Sequence, residues 1–219
     1  MMHLSPVISP VSITPFLSCS EVINCTNAEI RSLARSLTTS DNDDPGRARS
    51  LYLWVRDNVA HSGDSGYHEI MWKAVDVLKS GHGLCFGKSH LLVALCRSLG
   101  IPAGLCYQRV KVGDQKWVLH GFTAVYLEQP GRWIRLDPRG NTSEIMADFS
   151  VDEDKITYYP QSNGEWLDQH VYPEPWQDLI RIVEMSADVE QLIALSQEIR
   201  NPPVRHDRSL PDKSLICST

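Results

Sequence analysis

The sequence predicts an α+β fold, with helices first along the chain and an antiparallel sheet after them. Before residue 100, apolar residues recur at helical spacing. Beyond it the pattern changes to short apolar runs separated by turns at 113–115 and 130–131, as in neighbouring antiparallel strands. Between the two parts, Leu91 to Leu95 are all apolar, which predicts one central, buried helix. Helices followed by hairpin-linked strands define the α+β class.

Two amphipathic helices are predicted in the first third of the chain. The first begins at Thr26 and Glu29, which have capping-box spacing, and runs to about Leu37. We expect Asp44 to cap the second, with Pro45 as its first helical residue, where proline is favoured. The apolar pattern of the second helix ends before residue 61, which predicts a loop over residues 61–66.

The central helix is predicted to begin at Cys85. A short helix over 72–79 leads to it through a turn flanked by glycines, and Gly100 with Pro102 two residues later marks its end. Unpaired N–H groups and the positive end of the helix dipole favour a thiolate at such a position. This helix is therefore expected to carry a nucleophile at its N-terminus.

The second half of the chain is predicted to hold the sheet and then further helix. Residues 142–173 are expected to be irregular, with aromatic residues covering one side of the sheet. A helical stretch follows over 176–200, with a break near 186–188. The three predicted strands are 103–112, 118–127 and 133–136.

The length of 219 residues fits one domain with tails. We expect an extended N-terminal arm over 1–20, a single catalytic domain over 21–200 and a flexible C-terminal tail over 201–219. The oligomeric state stays open.

Composition limits the classes of function. A net charge of −6 argues against nucleic-acid binding, and no apolar run reaches the roughly 20 residues that span a bilayer. The N-terminus lacks the pattern of a secretory signal. The six cysteines are irregularly spaced, so we expect free thiols in a reducing cytoplasm.

Three separated residues fall where a cysteine hydrolase would need them. Cys85 starts the central helix, His120 lies on the second strand, and Asp137 closes the third. Adjacent strands lie about 4.8 Å apart, so histidine and aspartate can hydrogen-bond across them. The carboxylate would orient the imidazole, which would take the thiol proton and later protonate the leaving group. The backbone N–H of Cys85 would be one oxyanion donor, with His61, Tyr67 and Trp72 as candidates for a second.

A metal site is the alternative reading of the same stretch. His82, Cys85 and His90 are close in sequence, but His90 is five residues beyond Cys85 and points about 140° away on a helix. We therefore expect neither a metal nor a cofactor.

The motifs Gly-His-Gly-Leu-Cys, Leu-Gly-Ile-Pro-Ala, His120 and Arg-Leu-Asp-Pro resemble the core of the transglutaminase-like superfamily over roughly residues 45–141. The resemblance implies a papain-like fold with Cys85 as nucleophile, His120 as base and Asp137 as orienting acid. Calcium-dependent animal transglutaminases are much longer, so the chain is more similar to small bacterial members described as cysteine proteases. Two positions depart from the usual pattern: Gly104, where the superfamily often has arginine, and Phe122, where it often has tryptophan.

The expected function is thiol-dependent hydrolysis of an amide or isopeptide bond in a peptide or protein substrate, through a thioester on Cys85. Transfer of the acyl group to an amine is the alternative with the same residues. A non-catalytic peptide-binding module of the same fold is the alternative from another class, and acetyl transfer from a thioester donor ranks last.

Overall fold

The computed structural model describes residues 7, 8, 10, 12–112 and 116–202, and these residues form an α+β fold as predicted. The predicted turn at 113–115 and most of the predicted tail lie outside the described residues. The helices are α1 (Ala28–Leu37), α2 (Asp44–Asn58), α3 (Ser62–Ser65), α4 (Ala74–Ser80), α5 (Cys85–Ser98), α6 (Gln177–Met185) and α7 (Val189–Ser196). The strands are β1 (Ala60–His61), β2 (His82–Gly83), β3 (Ala103–Val112), β4 (Lys116–Leu127), β5 (Arg132–Leu136) and β6 (Trp166–Leu167).

Helix α5 is the centre of the molecule, as its apolar sequence predicts. Every residue from Cys85 to Arg97 is buried. Helices α1, α2 and α4 contact α5, and so do strands β3 and β4. An element covered in this way can expose only its ends, and its N-terminus is the end that carries Cys85.

The main sheet is antiparallel and has the order β5–β4–β3–β6. The register pairs Gln108 with His120 and Thr123 with Leu136, which brings the middle of β4 beside the end of β5. Strand β6 was not predicted, because it is only two residues long within the segment expected to be irregular. A separate parallel pair joins β1 to β2 and sets His61 opposite Gly83.

Helix starts differ from the prediction by one or two residues. The side chain of Asn27, not Thr26, accepts the first N–H groups of α1. The side chain of Asp43, not Asp44, accepts from Gly46 at the start of α2. Adjacent polar residues compete for a cap, and the pattern alone does not decide between them. The prediction of a loop over residues 61–66 is wrong, because this segment contains the end of β1 and the single helical turn α3.

The two C-terminal helices are separated where the sequence predicts a break. Helix α6 ends at Met185, and Asp188 caps α7 by accepting from the N–H of Gln191. A polar cap between two apolar helical stretches lets the chain turn, because it replaces intrahelical hydrogen bonds at the new start. The result is a helix pair that packs on the rest of the molecule, with α7 contacting α3 and β4.

The N-terminal residues are partly packed rather than simply extended. Thr14–Leu17 form one 3-10 turn, and Phe16 is buried against Trp133 with ring centroids 4.8 Å apart. A side chain at Gly104 would lie 2.8 Å from the Phe16 ring and 2.5 Å from Val171. The space that an arginine would occupy at this position of the superfamily is therefore already filled.

The prediction that all six cysteines are free thiols is wrong. Cys19 and Cys25 form a disulfide, with Cα atoms 5.3 Å apart across a tight turn. The turn is closed by the Ser20 N–H donating to the carbonyl of Ile23, which brings the two cysteines together. Cys85, Cys96 and Cys106 are free and buried. Among the described residues, no helix combines the length and apolarity needed to cross a membrane.

Candidate active site

The sulfur of Cys85 sits at the N-terminal end of a helix that is buried along nearly its whole length. Leu84, in extended conformation, precedes the first turn of α5 and offers no capping side chain. Cys85 retains 7% of its accessible surface, while the side chains one turn further along α5 are covered. The N–H of Gly121 on β4 points at the Cys85 Sγ across 3.5 Å. The sulfur thus lies between a helix N-terminus and a backbone donor, both of which favour negative charge.

His120 and Asp137 form a buried pair beside this sulfur. His120 Nε2 lies 2.8 Å from Asp137 Oδ2, and neither side chain is more than 1% exposed. The other interactions of the carboxylate come from backbone N–H groups of Thr157, at 2.9 Å, and Arg139, at 3.2 Å. A carboxylate held by three donors cannot rotate freely, so it fixes the orientation of the imidazole.

Two aromatic rings enclose the imidazole of His120. The Phe122 ring lies nearly parallel to it at 5.8 Å, and the edge of Tyr158 meets it at 5.1 Å and 89°. Phe122 thus packs on the histidine at the position where the superfamily often has tryptophan. Tyr158 is one of the aromatic residues expected to cover the sheet, and it also lines the cleft.

The charges of these groups reinforce each other. Burial would raise the pKa of the Cys85 thiol, but the charge of His120 and hydrogen bonding from His120 and His61 lower it to about 5. Burial would lower the pKa of His120, but Asp137 and Cys85 raise it to about 10. Burial would raise the pKa of Asp137, yet His120 lowers it to about 2. At neutral pH the arrangement is therefore thiolate, imidazolium and carboxylate.

A second imidazole and carboxylate approach Cys85 from β1 and α3. His61 Nδ1 lies 3.3 Å from Asp64 Oδ1, an ion-pair distance at which the alignment does not make a hydrogen bond. The guanidinium of Arg139 donates to both oxygens of Asp64 at 2.8 and 2.9 Å. The parallel pairing of β1 with β2 places His61 opposite Gly83, two residues before Cys85.

A buried lysine on α5 links this helix to the strand that carries His61. Lys88 Nζ donates to the backbone carbonyls of Arg56, at 3.2 Å, and Val59, at 2.5 Å, at the end of α2. Burial lowers the pKa of Lys88 to about 8. Because β1 follows directly after Val59, Lys88 sets where His61 enters the site.

The structure brings the three predicted site residues, Cys85, His120 and Asp137, together. Of the three candidates for a second oxyanion donor, the structure places only one at the cleft. His61 lines the cleft, whereas Tyr67 stacks on His82 with ring centroids 3.9 Å apart and Trp72 packs near His90.

Asp64 and Arg139 were missed, because 75 positions of sequence separate them from each other. The local signals were the position of Asp64, three residues after His61, and that of Arg139, two residues after Asp137.

The residues of the metal alternative have other partners. His82 Nδ1 lies 3.0 Å from the hydroxyl of Ser62, and His90 Nδ1 lies 2.7 Å from the carbonyl of Trp72. Within the part of the chain that the structure describes, no three histidine, cysteine or acidic residues are grouped closely enough to hold a metal ion.

A cleft of about 290 Å³ opens beside the sulfur. One end holds the polar groups already described, namely Cys85, His120, His61, Asp64 and Arg139. The rest is mostly apolar, and much of it comes from the C-terminal helices and from the ends of β3 and β4. The apolar residues that line the cleft are Leu84, Phe86, Val112, Val118, Leu119, Ile145, Leu179, Leu192 and Ile193.

Comparison with solved structures finds similar folds. A "putative cysteine protease" from Cytophaga hutchinsonii matches with a TM-score of 0.50 and 25% identity, over 60% of this chain and 43% of that one. A structure described as "a TGase" matches with a TM-score of 0.42 and 14% identity, over 65% and 42%. This chain thus spans less than half of the length of these proteins. No curated protein matches it.

The family model described as the transglutaminase-like superfamily matches residues 31–138. This range contains α2, α5 with Cys85, strand β4 with His120, and β5 with Asp137 directly after it. Both the resemblance drawn from the motifs and the predicted papain-like α+β fold are confirmed. Residues 31–138 are therefore a transglutaminase-like core.

Proposed function

We propose that this protein is a cysteine hydrolase that cleaves amide or isopeptide bonds in peptide or protein substrates. The observation that carries the proposal is the Cys85 sulfur at a helix N-terminus, beside His120, which is itself held by Asp137. We further propose that residues 21–200 act as a single catalytic domain.

The proposed reaction begins with attack of the Cys85 thiolate on the substrate carbonyl carbon. The new C–S bond moves the carbonyl π electrons onto oxygen. When the oxyanion collapses, the C–N bond breaks and His120 gives its proton to the departing amine. His120 then takes a proton from water, whose oxygen attacks the thioester and releases the carboxylic acid and the thiolate. Asp137 keeps the imidazole in the same orientation through both halves of the reaction.

The oxyanion would be stabilised by two donors. The backbone N–H of Cys85 lies at the N-terminus of α5, where no side chain caps it. We assign the second role to His61, because it lines the cleft and Asp64 lies beside its Nδ1. With Nδ1 of His61 facing Asp64, the other ring nitrogen is the one that would donate to the oxyanion. Loss of one such donor in other enzymes raises the barrier by about 2.7–4 kcal/mol.

Water as the acceptor is supported by the similarity to the protein from Cytophaga hutchinsonii, which is described as a cysteine protease. Transfer to an amine uses the same residues up to the thioester. Product analysis separates the two reactions: hydrolysis yields a carboxylic acid, while added amine becomes part of the product in acyl transfer.

The location of the protein stays a prediction. A cytoplasmic setting was expected from free thiols. The Cys19–Cys25 disulfide favours an oxidising compartment instead, because cytosolic reductants keep thiols reduced.

The test is alkylation of Cys85 by iodoacetamide as a function of pH, followed by peptide mass spectrometry. We expect half-maximal reactivity near pH 5, the pKa of the thiol in the folded protein. Cys96 and Cys106 are internal controls, since burial raises the pKa of each to about 12. If Cys85 reacts at pH 6 no faster than a cysteine in an unstructured peptide, the mechanism is wrong and a non-catalytic binding module is favoured.

An Asp137→Asn variant tests the orienting role. The amide keeps the size of the side chain but removes the charge that holds His120, so turnover of a cleaved peptide should fall at least about 100-fold. Circular dichroism checks that the fold is retained. Unchanged turnover in a folded variant would remove Asp137 from the mechanism.

A further inference from the structure

We infer that the apolar part of the cleft is a subsite for the acyl side of the substrate, and that it selects a large aliphatic or aromatic side chain next to the bond that is cleaved. The inference rests on the proposed function and adds a substrate class to it. Neither the motifs around Cys85 nor the family match specifies this class.

The position of the cleft determines which part of the substrate it receives. In the thioester the acyl group stays bonded to the Cys85 sulfur, so the side chain nearest that bond has to lie beside the sulfur. The walls there are the two neighbours of Cys85, Leu84 and Phe86, and both are apolar. The departing amine, by contrast, must reach His120, which protonates it.

Most of the remaining walls are also apolar, and they come from separate parts of the fold. Helices α6 and α7 contribute Leu179, Leu192 and Ile193, and the ends of β3 and β4 contribute Val112 and Val118. Leu179 and Leu192 are 3% and 1% exposed, so they form the floor, whereas Ile193 is 37% exposed and marks the rim. Side chains from four elements converge on one space beside a reactive group.

The chemistry of these walls favours one class of side chain. A leucine or phenylalanine side chain would bury its surface against them, and a volume of about 290 Å³ is large enough for either. Glutamine or aspartate would place a polar group among mostly apolar walls, where the hydroxyl of Ser196 already donates to the carbonyl of Ile193, and this burial is costly. The charged groups of the cleft, Asp64 and Arg139, already pair with each other.

The test uses peptidyl acyloxymethyl ketones that differ only in the side chain next to the reactive carbonyl: leucine, phenylalanine, alanine, glutamine and aspartate. The full chain is treated with each, and the second-order rate of Cys85 alkylation is measured by mass spectrometry. We expect leucine and phenylalanine to react at least about 10-fold faster than alanine, glutamine or aspartate, as for apolar pockets that distinguish side chains by a few methylene groups.

Two variants test the location of the subsite. Ile193→Asp puts a charge at the rim and should reduce the preference for leucine over glutamine at least about 10-fold. Met185→Asp is the matched control, because Met185 is 65% exposed at the end of α6 and does not line the cleft. It should keep the wild-type preference.

Failure of the inference and failure of the proposed function give different results. If iodoacetamide alkylates Cys85 at pH 6 but the five ketones react at equal rates, or glutamine or aspartate reacts fastest, the subsite is overturned and the mechanism stands. If Ile193→Asp keeps the full preference, the subsite is overturned as placed here. If Cys85 resists every reagent, the proposed function itself fails, and the subsite with it.

Discussion

Arg139 belongs to both acidic groups of the site. Its backbone N–H donates to Asp137 Oδ1, and its guanidinium donates to both oxygens of Asp64. One residue therefore ties the carboxylate behind His120 to the carboxylate behind His61. A bidentate arginine is well suited to this, because its planar donors fix the geometry of a carboxylate.

The side-chain amide of Gln108 has no hydrogen-bond partner among the described residues. It lies opposite His120 on the neighbouring strand and is fully buried, and neither its Oε1 nor its Nε2 is paired. A buried amide in this state costs stability, since it has lost water and gained nothing in return.

We predict that Gln108→Met raises the free energy of unfolding by about 1–3 kcal/mol, because methionine has a similar length and no polar group to desolvate. Urea denaturation measures the change. Gln161→Met is the matched control at an exposed position and should change stability by less than about 0.5 kcal/mol. A destabilised Gln108→Met would mean that the amide has a favourable interaction in the folded protein.

Some residues of the site can be recognised from the residues next to them in the sequence, and others only from contacts between distant parts of the chain. Cys85, His120 and Asp137 stand in short motifs whose local structure can be read from neighbouring residues. His61, which was one of three candidates for an oxyanion donor, and the missed Asp64 and Arg139 depend on the pairing of β1 with β2 and on contacts across 75 positions of sequence. No periodicity or spacing in the sequence encodes that approach.

At the scale of elements, the position of α5 depends on a close backbone contact. A Cβ atom at Gly87 would lie 2.6 Å from the carbonyl oxygen of Met71 and 3.2 Å from Val77. The first distance is shorter than any normal contact, and the oxygen belongs to backbone that cannot rotate away. Because residue 87 is glycine, the start of α5 can approach the backbone of Met71, which precedes α4.

We predict that Gly87→Ala destabilises the protein by about 1–3 kcal/mol, the usual cost of overpacking, although alanine is the better helix former by about 1 kcal/mol. Chemical denaturation gives the stability, and iodoacetamide alkylation of Cys85 reports the displaced helix start. Arg49→Ala, at an exposed position of α2, is the control for helix propensity alone. A stability equal to or above that of the wild type would contradict the contact.

Elements were predicted best where a pattern was long. The burial of α5, the three main strands and the break between α6 and α7 follow from runs of apolar or polar residues. The two-residue strands β1, β2 and β6 exist only because a partner strand lies beside them. The Cys19–Cys25 disulfide likewise depends on a turn over residues 20–25 that brings the two Cα atoms to 5.3 Å, which cysteine counting does not detect.

At the scale of the whole molecule, the charges at the site make stability depend on pH in a specific way. The lowered pKa of Cys85 contributes stability that is complete above pH 9.0 and is lost as the pH falls through about 5. The raised pKa of His120 contributes stability that is complete below pH 6.5 and is lost as the pH rises through about 10. Between pH 6.5 and 9.0 the two changes oppose each other.

We predict that Cys85 and His120 together leave the free energy of unfolding constant between pH 6.5 and 9.0. In this range the two residues bind the same total number of protons in the folded and unfolded states. Between pH 6.5 and 5 the unfolded state binds one more, and stability should fall by roughly 2 kcal/mol. Urea denaturation at a series of pH values from 5 to 9 measures the constant region and the fall in stability below it.

Cys85→Ser is the control for the constant stability between pH 6.5 and 9.0, which is called the plateau below. Serine does not titrate, so only the raised pKa of His120 remains, sustained by Asp137. Stability of the variant should then fall as the pH rises from 6.5 to 9.0. A variant with the same plateau as the wild type would mean that Cys85 and His120 do not exchange a proton in the folded protein.

The family match ends at residue 138, whereas Leu179, Leu192 and Ile193 come from helices beyond it. Part of the wall that faces the proposed reacting groups therefore comes from a different stretch of the chain, and that stretch can change during evolution without altering the matched residues. Relatives with identical reacting groups but another C-terminal segment are expected to process other substrates. Exchanging α6 and α7 between such relatives would be a direct route to redesigned selectivity.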